Sequence, residues 1–305
     1  MLLAGGIVVG VVAASLVTTT TIDVVASRVE AGRLEDYGQA VEVDGRRMNV
    51  LIEGTGDETI VLLPGFGTSS PVLDFAPLTR RLAVDHRVVV VEPFGYGLSD
   101  PTDRERTSAN IVGEIHDALD TLGIDRYVLM GHSIAGIHAL ELTARYPDEV
   151  EAFVGIDTSV PEQPGMDAAF PIDLLRAAKT LGLSRIATAF GGASGAAFTD
   201  RERDQIDILT NRNSLADTYL DEMSRIGATF ADAEGRRFPA YLPLLLFVVA
   251  ENPRNPEWAA LHENQAATVA DGTVIPLAGD HYLHHTQAAA IADAYEAWSA
   301  ARVGD

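Results

Sequence analysis

Apolar residues fall into short uninterrupted runs, separated by longer segments in which they recur every three or four positions. The runs are TIVLL (Thr59–Leu63), RVVVVE (Arg87–Glu92), YVLMG (Tyr127–Gly131), EAFVGI (Glu151–Ile156), LLLFVVA (Leu244–Ala250) and TVIPL (Thr273–Leu277). Runs this short and this apolar predict strands covered on both faces, as in a parallel sheet. Ahead of them, AVEV (Ala40–Val43) and MNVLIEG (Met48–Gly54) flank an Asp-Gly turn and predict a hairpin. The segments Asp74–Val84, Ser108–Leu122, Ile134–Tyr146 and His284–Arg302 predict helices, the second with Ile111, Ile115, Ala118, Leu119 and Leu122 on one face. Strand and helix in alternation predict an α/β fold with a mostly parallel, doubly wound sheet.

Two segments depart from that alternation. Between Asp157 and Leu244 no run reads as a strand; helical patterns cover Ile172–Leu181 and Arg201–Ile226, with GGASGAA (Gly191–Ala197) between them. About 85 residues without a strand are too many for a loop and predict a helical cap over the sheet. The expected organisation is a cap at 158–243 inserted into a core made of 31–157 and 244–305. At the start of the chain, residues 1–22 carry no charge, and Leu2–Val17 are almost wholly apolar. About 20 such residues span a bilayer, so residues 1–30 are expected to form a single N-terminal membrane anchor and linker. A secretory signal would need a basic flank, which is missing. A secreted or a cytoplasmic protein is the alternative, and Arg28 and Arg33 do not decide the side of the membrane.

Composition removes several function classes. The 305 residues include 22 basic and 44 acidic ones, a formal charge of −22. That balance argues against nucleic acid as a partner and against docking on anionic lipid through a basic patch. With no cysteine, thiol nucleophiles, disulfides, zinc–thiolate sites and iron–sulfur clusters are excluded. Lys179 is the only lysine and lies in an ordinary helical run, which disfavours Schiff-base chemistry.

The remaining chemistry sits at strand ends. GHSIAG (Gly131–Gly136) follows the run YVLM and precedes a helix. A serine on such a turn projects its hydroxyl above the sheet, which makes Ser133 the candidate nucleophile. LLPGFGTSS (Leu62–Ser70) offers a glycine loop whose Phe66 N–H, together with the Ile134 N–H, would form an oxyanion hole. AGDHYLHHT (Ala278–Thr286) places His281 in the loop after the last run, where a general base for Ser133 is expected. His281, His284 and His285 also have the spacing of metal ligands, but no carboxylate motif accompanies them, and neither a metal nor a cofactor is expected. EPFGYGLSD (Glu92–Asp100) has no GK[ST] and reads as a loop bordering the site rather than a phosphate loop.

These motifs, in this order, resemble the α/β-hydrolase superfamily in its cap-bearing branch, over about Val41 to Ser299. The resemblance implies an α/β-hydrolase fold and a serine–acid–histidine triad in that chain order. It implies hydrolysis of a small acyl substrate, a carboxylic ester first, without a cofactor. A thioester, amide, lipid or C–C substrate, or a non-catalytic binding role, is the alternative. A serine nucleophile disfavours the aspartate-based chemistry of haloalkane dehalogenases and epoxide hydrolases. The chain departs from the family pattern at Ala135, Pro64 and Glu92, and where the usual acid would follow LLLFVVA it has Pro253. Asp157, at the end of the preceding run, is therefore the preferred acid, with Glu251 the runner-up and Glu257 third. Phe170, Phe190, Phe198, Phe230 and Phe238 suggest an apolar acyl pocket under the cap.

Overall fold

A computed structural model describes residues 2–191 and 197–303. Of the Gly191–Ala197 stretch, residues 192–196 lie outside them. The chain opens with α1 (Leu2–Ala31) and the hairpin β1 (Gln39–Val43) and β2 (Arg46–Glu53), followed by β3 (Thr59–Leu63), α2 (Pro71–Asp74) and α3 (Ala76–Leu82). Next come β4 (Arg87–Glu92), α4 (Ser108–Thr121), β5 (Tyr127–His132), α5 (Ala135–Arg145) and β6 (Val150–Ile156). Among the described residues four helices intervene before the sheet resumes: α6 (Ile172–Thr180), α7 (Leu183–Gly191), α8 (Asp200–Asn213) and α9 (Asp217–Ala233). The chain ends with β7 (Leu244–Val249), α10 (Trp258–Ala266), β8 (Gly272–Leu277), α11 (Leu283–Thr286) and α12 (Ala288–Val303).

Among the described residues the eight strands form one sheet in the order β1-β2-β4-β3-β5-β6-β7-β8. β2 pairs antiparallel with β1 and β4, and every pairing from β4 onward is parallel. Side chains alternate between the two faces along each strand. Ile60, Leu62, Val88 and Val90 pack with Phe75, Leu78 and Tyr295 on one face. Val61, Leu63, Val89 and Val91 pack with Ile111, Ile115 and Leu119 on the other. Both faces are covered, which is why the strands read as unbroken apolar runs. The chain leaves β3 for β4 on one side and then crosses to β5 on the other. The loops after β3 and β5 therefore diverge and open a crevice at the carboxyl ends of the strands, the usual place for a ligand in such a sheet.

Helix boundaries differ from the sequence pattern in three places. Asp74–Val84 is occupied by the end of α2 and by α3. Ser70 caps α2, its hydroxyl accepting from the Leu73 N–H. The expected helix Arg201–Ile226 is two helices, broken where Leu215 takes a φ of 58°. The C-terminal helix is likewise split into α11 and α12.

The C-terminal half of α1 docks on the inserted helices. Arg185 of α7 reaches Asp23 at 3.0 Å and Glu30 at 2.5 Å, and Asn211 of α8 donates to Glu30 at 3.2 Å. Side chains of α1 are described from Ala14 onward. Among the described residues no helix is long and apolar enough to cross a membrane. The expected N-terminal membrane anchor finds no support there.

Among the described residues one ion pair is wholly enclosed. Arg106 and Glu114 meet at 2.7 Å with side chains 0% and 1% exposed. Glu114→Gln removes the ion-pair partner of a buried guanidinium, and a loss of about 3–5 kcal/mol is expected. Urea unfolding followed by circular dichroism measures it; a loss under about 1 kcal/mol contradicts the expectation.

Candidate active site

Ser133 stands between β5 and α5 with a φ of 55°, a left-handed conformation that serine rarely adopts. The turn is tight enough to dictate its neighbours. A Cβ on Gly131 would lie 2.8 Å from the Ala135 Cβ, and one on Gly136 would lie 2.4 Å from the Ser159 carbonyl oxygen. Small residues at those positions are thus a steric requirement of the turn that lifts Ser133 into the crevice.

His281 lies in the loop after β8 with its side chain 45% exposed. Its Nδ1–H donates to Asp157 Oδ2 at 2.6 Å. That bond selects the neutral tautomer with Nε2 unprotonated and able to accept. Asp157, at the end of β6, is 1% exposed. Its second oxygen, Oδ1, accepts from the Val249 N–H at 3.0 Å and from the Trp258 indole N–H at 2.7 Å. Ser133, Asp157 and His281 line one cavity of about 960 Å³. No hydrogen bond joins Ser133 Oγ to His281 among the described residues.

Phe66 and Ile134 line the same cavity. Neither backbone N–H donates to any acceptor among the described residues, so both are available to a negatively charged oxygen. Glu251 also lines the cavity but makes no hydrogen bond to His281 among those residues. Glu257 sits at the start of α10, exposed.

The other histidines are held elsewhere. His132 donates from Nε2 to the His281 carbonyl at 3.0 Å, and burial drives its pKa well below the ordinary value, so it stays neutral. His284 and His285 each bond Asp74 at 2.8 Å. Ligand-type atoms of Asp74, His132 and His284 lie within 4.8 Å of one another. Both Asp74 oxygens, however, already accept from imidazoles. His281, His284 and His285 do not converge as a metal set, because His281 turns to Asp157.

Glu92 closes the loops around the crevice. Its buried carboxylate accepts from Ser70 Oγ at 2.8 Å, Asn49 Nδ2 at 2.9 Å and the Leu98 N–H at 2.7 Å, tying the loop after β3 to the loop after β4. Of the five phenylalanines expected under the cap, Phe230 lines the cavity. Phe170 is exposed, Phe198 packs on His285, Phe238 stacks on Phe153 in the core, and the Phe190 side chain lies outside the described residues.

Trp258 was not singled out by any motif. It combines an apolar ring with one N–H donor, and it aims that donor at the buried carboxylate. Trp258→Phe keeps the ring and removes the donor. A hydrogen bond to a charged group contributes about 1.5–3 kcal/mol, so kcat for turnover at this site is expected to fall at least about 10-fold with KM within about twofold. Steady-state kinetics decide it, and an unchanged kcat would show that the Val249 N–H alone suffices.

A family model described as "Alpha/beta hydrolase family" matches residues 60–294. An "Uncharacterized protein YbdG" of Bacillus subtilis is 34% identical over 135 residues, covering 44% of this chain and 42% of that protein. The human "Serine hydrolase BPHL" is 33% identical over 132 residues, covering 41% of this chain and 45% of that protein. The chain thus spans less than half the length of these curated relatives. Among solved structures, Cfl2 from Burkholderia cenocepacia superposes with a TM-score of 0.68 at 21% identity, covering 85% of this chain and 94% of that one, a likeness of fold.

Proposed function

We propose, from the premise that this chain belongs to the alpha/beta hydrolase family, that it is a serine hydrolase cleaving carboxylic esters through an acyl-enzyme. The observation that carries the proposal is the 2.6 Å bond from His281 to Asp157, with Ser133 held in a positive-φ turn in the same cavity. His281 Nε2 takes the Ser133 proton as Oγ attacks the acyl carbon. The developing oxyanion accepts from the Phe66 and Ile134 N–H groups, a contribution of about 10²–10³ in rate per donor in comparable sites. Asp157 holds the imidazole in the productive tautomer and stabilises its cation. The protonated His281 then releases its proton to the leaving alcohol. Water, deprotonated by the same nitrogen, cleaves the acyl-enzyme.

Phe66, Ile134, Met166, Ile226 and Phe230 supply one apolar wall for an acyl or alkyl chain. An aspartate-ester mechanism is disfavoured, because Ser133 occupies the nucleophile position. The test is reaction with a fluorophosphonate followed by peptide mapping. One adduct at Ser133, with turnover of p-nitrophenyl butyrate, is the expected result. No adduct and no turnover of short or long acyl esters would direct the reading to a non-catalytic binding protein.

A further inference from the structure

One turn of α9 is fastened to the loop that carries Phe66. Tyr219 and Glu222 are three residues apart and so share a face of the helix. The Tyr219 ring lies 4.8 Å from that of Phe66, and a Cβ on Gly67 would come within 3.1 Å of the Tyr219 oxygen. Glu222 Oε1 accepts from the Tyr96 hydroxyl at 2.8 Å. The Tyr96 oxygen in turn accepts from the Gly67 N–H at 3.4 Å. The same loop is gripped again by α8, where Thr210 Oγ1 meets Ser69 Oγ at 2.6 Å.

Glu222 is an unusual residue to find in such a place. It is 4% exposed, and its Oε2 has no hydrogen-bond partner among the described residues. A buried carboxylate so incompletely satisfied costs stability, and an apolar or amide side chain would fit the packing with less penalty. What Glu222 does have is a chain of two hydrogen bonds ending on the peptide next to Phe66. A carboxylate accepting the phenol proton polarises the phenol oxygen and strengthens it as an acceptor for the Gly67 N–H. Fixing that peptide restricts rotation about the Phe66 backbone, and with it the direction of the Phe66 N–H.

We infer that Glu222 and Tyr96 are positioning residues for the oxyanion hole, so that the inserted helices act on catalysis through the loop that holds the negative charge. This rests on the serine-hydrolase reading above. Neither residue touches substrate; Glu222 acts through Tyr96, and Tyr96 through Gly67. Around Glu222 stand Tyr96 and Arg106 from the loop after β4, Glu114 from α4, Asp221 from its own helix and His138 from α5 across a small shared cavity. Burial pushes the Glu222 carboxyl up to about 7 against the opposing pull of Arg106. A carboxyl raised from 4.5 in the fold contributes stability that is lost as pH rises from about 4.5 through 7. Glu222→Gln is therefore expected to melt no lower than the parent at pH 8.

The experiment compares the full chain with its Tyr96→Phe and Glu222→Gln variants. It measures kcat and KM for p-nitrophenyl butyrate, Ki for an alkyl trifluoromethyl ketone, and Tm at pH 8. Tyr96→Phe deletes the acceptor, and a kcat loss of about 10- to 30-fold is expected, short of the ~10²–10³ for outright loss of an oxyanion donor. Glu222→Gln is expected to lose about 3- to 10-fold by weakening the same bond. KM stays within about twofold in both, and Ki rises in proportion to the loss of kcat, since the ketone adduct carries the same oxyanion. A kcat within twofold of the parent in Tyr96→Phe overturns the inference. So does a kcat loss that leaves Ki unchanged. A parent protein inert toward esters and fluorophosphonate removes the serine-hydrolase reading first, and this inference with it.

Discussion

Asp157→Asn is expected to slow ester hydrolysis about 10⁴-fold, while Glu251→Gln leaves it within about threefold. The reason lies in which atoms each carboxylate engages. Asparagine at 157 retains an oxygen for the Val249 and Trp258 N–H groups, so the side chain keeps its place. Its amide nitrogen then faces His281 Nδ1 and donates where the carboxylate accepted. The imidazole must move its proton to Nε2, and an Nε2–H cannot accept the proton of Ser133. Glu251 is exposed and has no hydrogen bond to His281 among the described residues, so its amide removes nothing from the site. Values of kcat/KM for p-nitrophenyl butyrate decide between the two carboxylates. Comparable losses in both variants would mean that the acid changes on substrate binding.

Ser133→Ala is expected to lower kcat by about 10⁴–10⁶ and to abolish fluorophosphonate labelling. In the proposed mechanism the residual rate comes from the Phe66 and Ile134 donors and from binding, which the substitution leaves intact. Alanine has the same Cβ in the same left-handed conformation, so folding stability is expected to change by less than about 1 kcal/mol. A matching Tm with lost activity therefore isolates the hydroxyl. Residual labelling at another residue would identify a different nucleophile.

The middle of the sheet is legible in the sequence because β3 to β7 are buried on both faces and leave apolar runs. The Ser133 turn is legible because its sterics require small residues at Gly131, Ala135 and Gly136. The strand order is not, since nothing local in β4 says that it pairs with β2 rather than standing beyond β3. Nor is the break between α8 and α9 visible, because Leu215 carries no residue-type signature for its positive φ. Helix α10 escaped because its buried residues (Trp258, His262, Gln265 and Ala266) are mostly polar-capable and make a poor apolar stripe. Asp157 and Glu251 both follow apolar runs, so spacing alone keeps them as alternatives. What separates them in space is the adjacency of β6 and β7, which brings Trp258 and Val249 onto Asp157. Glu222 lies outside any motif, and nothing in EPFGYGLSD marks Tyr96 as its partner, since their link exists only once α9 is laid on the loop after β4.

The placement of Trp258 makes the protein its own optical probe. The chain has two tryptophans. Trp298 lies on α12 beneath the Arg302 guanidinium, 4.4 Å from the ring centre. Trp258 borders the cavity, with its indole N–H committed to Asp157. An acyl chain that displaces water from that cavity changes the polarity around one indole and leaves the other untouched. The emission spectrum of the unlabelled protein thereby reports occupancy of the site, with no reporter group attached to the ligand.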